Sequence, residues 1–279
     1  MPDLTSIVLL LVLGLFVGTY GTLVGAGGGP LIVPALLLIF HLPPQQAVGT
    51  SLTVVFLNAL SGTVSYARQK RIDYRTGFRF AIATIPGSII GAYLSTLFTG
   101  RLFSLVFGVL LILLAGFIVI RPREAELAVE EEVEAALPPW YTRRVITDVM
   151  GERYEYVFHE PAGIVLSFFI GFLSSIMGIG GGIIHVPALV YLFSFPPHIA
   201  TATSEFILAI SVLVGAGSHL ALGHVMPGYA LPMAVGVVLG AQLGARLSQR
   251  LHGALILRFL SLALVLVGVR LIAGQVVSG

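Results

Sequence analysis

The stretch GAGGGPLIVPAL at residues 25–36 returns as GIGGGIIHVPAL at residues 178–189, shifted by 153 positions. The same offset pairs Gly18 with Gly171, Pro43-Pro44 with Pro196-Pro197 and Thr50-Ser51 with Thr203-Ser204. It also pairs Gly62 with Gly215 and Ser95 with Ser248, with no gap between. A repeat of this length means two like structural units. The duplicated residues are mostly Gly, Pro, Ser and Thr, so what is kept is a set of backbone breaks and small polar groups. In a chain apolar enough for the membrane, that pattern points to a transporter built from two halves.

The composition supports a membrane setting. Hydrophobic residues make up 57% of the chain and charged residues 10%, with a mean hydropathy of +1.00. Soluble domains carry about 25% charged residues. Apolar runs at 4–24, 51–67, 78–98, 102–120, 162–177, 206–222, 229–248 and 254–273 approach the ~20 residues that span a bilayer. The reading is an all-α polytopic protein of the cell membrane, with the lipid bilayer as its surroundings. Its repeats are 1–120 and 161–279, joined by a linker at 121–160. A net charge of +2 gives no argument for nucleic acid, and the lack of Cys excludes disulfides and thiolate metal sites. No positive segment precedes the first apolar run, so 4–24 is expected to stay in the mature protein.

Charge sets the expected orientation. Arg68, Lys70, Arg71, Arg75 and Arg79 form one cluster, and Arg121, Arg123, Arg143, Arg144 and Arg153 lie in the linker. Arg246, Arg250 and Arg258 flank the last turn. The positive-inside rule places all three in the cytoplasm. The loop matching 68–79 is 221–232, which has no Lys or Arg, and the loop matching 246–258 is 93–105, which has only Arg101. Equivalent loops carry opposite signals, so the halves are expected to be inverted. Each repeat must then open with a hairpin: a full limb, a turn at the Gly cluster, and a short limb. Glycine suits that turn because it adopts positive φ without steric cost.

In the linker, 123–137 reads as an acidic surface helix ended by Pro138-Pro139. Residues 143–160 alternate around Gly151, with Val145, Thr147 and Val149 before it and Tyr154, Tyr156 and Phe158 after it, as a β-hairpin does.

Candidate site residues follow from the breaks. Gly27, Gly28, Gly29 and Gly180, Gly181, Gly182 would unwind the backbone and precede helix N-termini that attract anions. The alternative is close helix packing through small residues. Thr50, Ser51, Thr203 and Ser204 follow helix-breaking Pro pairs and could bind an oxyanion, or simply cap helices. Glu205 and His185 are ionisable groups in apolar runs, where such groups are costly and functional. They are candidate proton carriers, with H+ or Na+ as the coupling ion. A His bonded to a carbonyl and a Glu paired with a cytoplasmic Arg are the plain alternatives. Asn58 and Ser211 are matched polar positions further along the same helices. His219 and His224 supply too few ligands for a metal and read as an exposed interfacial pair. No P-loop, GxSxG, HExxH or Rossmann pattern is present, so neither an enzyme nor a cofactor is expected.

The Gly break followed by VPAL, the PP…AVGTS helix start, and their second copies GIGGG…VPAL and PP…ATS resemble the TauE/SafE family of sulfite exporters and related permeases. The resemblance covers about residues 5–275. It implies a secondary transporter, export being the favoured direction, for a small anionic substrate such as sulfite, a sulfonate or an organosulfur carboxylate. The binding elements it implies are the two Gly clusters with Thr50, Ser51, Thr203 and Ser204. Glu205 and His185 have no counterparts in the first repeat, so their role rests on the residues alone. A passive anion channel is the alternative expectation.

Overall fold

The computed structural model describes residues 3–95, 100–120 and 138–277. The first half contains α1 (Leu4–Leu23), α2 (Gly29–Leu38), α3 (Pro44–Arg68), α4 (Tyr74–Leu94) and α5 (Gly100–Ile120). A hairpin follows, β1 (Tyr141–Thr147) with β2 (Arg153–His159). The second half contains α6 (Glu160–Met177), α7 (Gly182–Tyr191), α8 (Pro197–Ala221), α9 (Pro227–Ser248) and α10 (Gly253–Val277). The bounds of α2 and α7, and of α3 and α8, differ by the sequence offset of 153 at both ends. Helices α1, α3, α4, α6, α8 and α9 are long and apolar enough to cross a membrane. The acidic helix expected at 123–137 lies outside the described residues.

Local chemistry explains the boundaries. Asp3 opens α1 by accepting from Ser6 N at 3.1 Å, and His159 opens α6 by accepting from Ala162 N at 3.1 Å. Both α3 and α8 begin with proline in the first turn, where its missing N–H costs nothing. The Pro pairs therefore start helices as well as stopping the preceding ones. At 10 residues each, α2 and α7 are about 15 Å long, half a bilayer core. The expected pairing of a full limb with a short limb is what α1–α2 and α6–α7 form.

The halves interlock through small residues. Helix α1 packs on α9 while α6 packs on α4, and α3 and α8 pack on each other and on α9 and α4 respectively. At the α1–α9 contact Gly14 and Gly18 lie against the backbone of Met233 and Val237, and Gly236, Gly240 and Gly244 lie against α1 carbonyls. At the α4–α6 contact Gly87 and Gly91 face Phe168 and Phe172 carbonyls, and Gly171 faces that of Thr84. Without water to drive apolar association, such close backbone approach supplies much of the packing energy between membrane helices. Helices α3 and α8 run antiparallel: Gly62 of α3 faces Glu205 of α8, and Gly215 of α8 faces Leu52 of α3.

The hairpin pairs Tyr141 with His159 through to Thr147 with Arg153. Asp148 shapes its turn by accepting from Met150 N at 2.8 Å and Glu152 N at 3.0 Å. The inward face of β2 is more than a tether. Tyr156 and Phe158 are buried against Phe195, and Phe158 also meets Phe80 and Phe193. The hairpin is pinned to the α3–α4 turn by a buried Arg71–Asp148 ion pair at 3.1 Å, a Tyr156–Asp73 bond at 2.9 Å and a Val149 N–Gln69 O bond at 3.1 Å. Burial opposes ionisation of Asp148, but donation from Glu152 N, Arg71 and Met150 N outweighs it and holds the carboxyl below its ordinary range. One end of the bundle thus gathers the basic α3–α4 turn, the hairpin and the C-terminus of α9, to which Gln69 donates through Ala245 O at 3.0 Å.

Candidate functional site

The two Gly breaks meet at the centre. Gly25, Gly27 and Gly28 have φ of 72°, 69° and 84°, and Gly178, Gly180 and Gly181 have 71°, 77° and 80°. These are left-handed conformations that a side chain would strain. Gly28 and Gly181 are the N-caps of α2 and α7. The breaks also pack on one another: a Cβ on Gly29 would strike the Ile179 backbone, and one on Gly182 would strike Gly25 O and Ala26. The same glycines are therefore both unwound backbone and close packing contacts.

Val55 and Leu208, equivalent positions on α3 and α8, fill the space between the breaks. A Cβ on Gly180 would lie 2.7 Å from Val55 Cγ1 and 3.4 Å from Leu208 Cδ2, and a Cβ on Gly27 would strike both side chains. In this arrangement the centre is closed by apolar side chains.

The four predicted hydroxyls cross between halves. Ser51 donates to Gly178 O at 2.8 Å, and Ser204 donates to Gly25 O at 2.9 Å. Thr50 accepts from Met226 N at 3.0 Å, and Thr203 accepts from Asp73 N at 3.0 Å. Met226 and Asp73 are the N-caps of α9 and α4. All four hydroxyls thus serve the backbone of the opposite repeat, and none caps its own helix. Sequence could name them but not their partners, which lie 127 to 179 residues away.

A third layer surrounds the ends of the long limbs. Tyr66 donates to Thr22 O at 2.8 Å, and at the matching position His219 Nε2 lies 3.1 Å from Ser175 O. His219 is buried, which corrects the expectation of an exposed interfacial role. Its Nδ1 lies 3.1 Å from His224 Nδ1, so one His must donate and the other accept. Thr22 and Ser175 were not singled out from sequence; only their shared offset of 153 marks them.

Glu205 is fully buried beside Thr22 and Gly62, and neither carboxyl oxygen has a hydrogen-bond partner. Among the described residues it joins no ion pair, so the alternative of an Arg partner is not found there. His185 is buried on α7 with Nε2 3.3 Å from Ser167 Oγ, a hydroxyl and not a carbonyl, and its Nδ1 has no partner. Asn58 is buried with both amide atoms unpartnered, and Ser211, its match, is buried on α8. Among the described residues no group of three or more His, Cys, Asp or Glu could hold a metal. A groove of about 420 Å³ at Arg79, Trp140, Glu160 and Ile164 lies at the hairpin edge and contains none of these residues.

Broken short helices buried between two like halves of a multi-pass helical protein define a membrane transporter scaffold. The chain belongs to the TauE/SafE family: the model described as "Sulfite exporter TauE/SafE" matches residues 10–271. It is 39% identical over 274 residues to "Probable membrane transporter protein YunE" of Bacillus subtilis (strain 168), covering 96% of this chain and 97% of that one. A protein of Methanocaldococcus jannaschii, also named as a probable membrane transporter, is 29% identical over 82% of each chain. No solved structure matches.

Proposed function

We propose that this membrane transporter is a secondary active carrier of small sulfur-containing anions, with sulfite, sulfonates and organosulfur carboxylates as its substrate class. Export is the favoured direction, and the two halves are inverted in the membrane. The antiparallel α3–α8 pair and the basic cluster at one end support the inversion.

The observation that carries the reading is the meeting of the two Gly breaks between the repeats, each leading into the N-terminus of a half-length helix. Such termini supply N–H groups and a positive dipole end for an anion without a full charge. The substrate would sit among Gly27, Gly28, Gly29 and Gly180, Gly181, Gly182, with Asn58 and Ser211 at hand. Val55 and Leu208 close that space here, as an occluded stage of alternating access requires. Opening would move one repeat against the other and free Thr50, Ser51, Thr203 and Ser204 from their crossed backbone bonds to meet substrate oxygens. The family description names sulfite and supports the sulfur-anion class.

The test is reconstitution into proteoliposomes with radiolabelled sulfite, a sulfonate and a mercapto-carboxylate. Uphill accumulation of one of them under an ion gradient is the expected result. Flux that only runs down the anion's own gradient, at channel rates, would replace the carrier with a passive anion channel. Impermeant maleimide labelling of a Cys at position 152 tests orientation. Labelling from outside intact cells would overturn the cytoplasmic placement of the linker.

A further inference from the structure

We infer that Glu205, together with the Thr22 hydroxyl and the Gly27 amide, forms a proton-binding site that communicates with the basic end of the bundle through Tyr66, Thr201 and Ser248. The inference deepens the carrier reading and rests on it for one point only, that the bound proton is coupled to substrate movement.

The geometry starts from Gly62. A Cβ built there would lie 3.1 Å from Thr22 Oγ1 and 3.3 Å from Glu205 Oε2, so the missing side chain leaves the two polar groups facing one small space. Both Glu205 oxygens and Thr22 Oγ1 are buried and without hydrogen-bond partners. The Gly27 N–H faces the carboxyl as well, though its own backbone bond runs to Gly21 O at 3.2 Å. An ionised carboxylate with no counter-charge in so apolar a setting is very costly. A proton cancels the charge and turns one oxygen into a donor for Thr22, while the other oxygen can accept from Gly27. Protonation therefore satisfies the orphaned atoms together, and it needs no added volume.

The charged and titratable surroundings leave Glu205 to itself. From α3, Tyr66 is the titratable group that faces it. At the α3–α4 turn, Arg71 is held by Asp148, and Asp73 by Thr76, Tyr156 and Arg144. On α4, Arg79 pairs with Glu160. On α7, His185 turns to Ser167. On α1, Tyr20 bonds Phe259 O.

The polar neighbours of the site lie on one side of it. The Tyr66 hydroxyl bonds Thr22 O and has the Thr201 and Ser248 hydroxyls beside it. Ser248 Oγ is another buried atom without a partner, and it ends α9 two residues before Arg250. In the other direction Val55 and Leu208 fill the centre. The matching corner of the molecule has Ser175 and Gly215 but Leu52 in place of Glu205, so that corner lacks the carboxyl.

Infrared difference spectra of the purified protein in lipid nanodiscs, titrated with pH at fixed sodium, read the site directly. The wild type should show a protonated-carboxyl band that fades as pH rises. Glu205→Gln should lack it, Thr22→Val should shift it, and Tyr66→Phe should slow its exchange after a pH jump. In proteoliposomes, Glu205→Gln should lose the pH dependence of flux while still binding substrate. If Glu205→Gln folds poorly, Glu205→Asp, which keeps the carboxyl, and the shift in Thr22→Val carry the test. A band unchanged in Glu205→Gln would overturn the inference. So would displacement of the signal by sodium at constant pH, which would make this a Na+ site. If the band behaves as expected but the wild type never moves an anion uphill, the proton site stands and the carrier reading falls.

Discussion

The corner at Thr22 and the corner at Ser175 are built to one plan and carry different chemistry. In each, a ring at the far end of a long helix bonds the carbonyl near the end of a long limb, Tyr66 to Thr22 and His219 to Ser175. In each, a helix Gly opens a small space, Gly62 or Gly215. The first space holds Glu205 and the second holds Leu52. The ends beyond them diverge further. Arg71 is locked to the hairpin through Asp148, whereas the ring of its match, His224, lies 3.1 Å from that of His219. The backbone plan is shared because both repeats need the same breaks and crossings. The ionisable groups are not part of that plan: Glu205 matches Leu52, and Arg71 matches His224.

The sharpest way to break this comparison is at the latch. Arg71→Ala should cost about 3–5 kcal/mol, because it leaves Asp148 buried without its partner. The matching His224→Ala should cost far less, and thermal unfolding in detergent would compare them. Equal losses would mean that the hairpin end is not special. The same bridge sets a pH dependence. The Asp148 carboxyl sits below its ordinary value in the fold, so its contribution is whole above about pH 4 and fades as pH falls through the folded value. Loss of hairpin protection in hydrogen exchange on acidification, and not on alkalinisation, is the expected sign.

Next in size, Gly29→Ala and Gly182→Ala test the equivalence of the breaks. Each added methyl would strike the backbone of the other break, at Ile179 or at Gly25 and Ala26, at a cost of about 3 kcal/mol. Similar losses of thermal stability are expected from both. A large effect from one alone would show that the repeats do not bear equally on each other.

The smallest effects should come from the crossed hydroxyls. Ser51→Ala and Ser204→Ala each remove one buried bond to a Gly carbonyl, for about 1–2 kcal/mol. Thr50→Val and Thr203→Val should cost a similar amount, since each leaves an N-cap N–H at Met226 or Asp73 unpaired. If these hydroxyls also meet substrate, apparent affinity in the flux assay should fall by more than stability explains. An unchanged affinity would leave them as fasteners between the halves.

Much of this was legible in the chain before any coordinates. The offset of 153 gave matching helix bounds, the Gly clusters gave the breaks with positive φ, and period-2 alternation around Gly151 gave the hairpin. These are local properties: helix length follows the apolar run, proline sets where a helix can begin, and glycine alone tolerates the turn. What the sequence could not contain was the pairing across the repeats. That Ser51 serves Gly178, that Glu205 faces Thr22 and not an Arg, and that His219 is buried on Ser175 depend on how two halves with identical breaks are laid against each other. Small residues let those helices come close, but only the crossing of α1 on α9 and α6 on α4 decides which polar groups then meet and which are left unpaired.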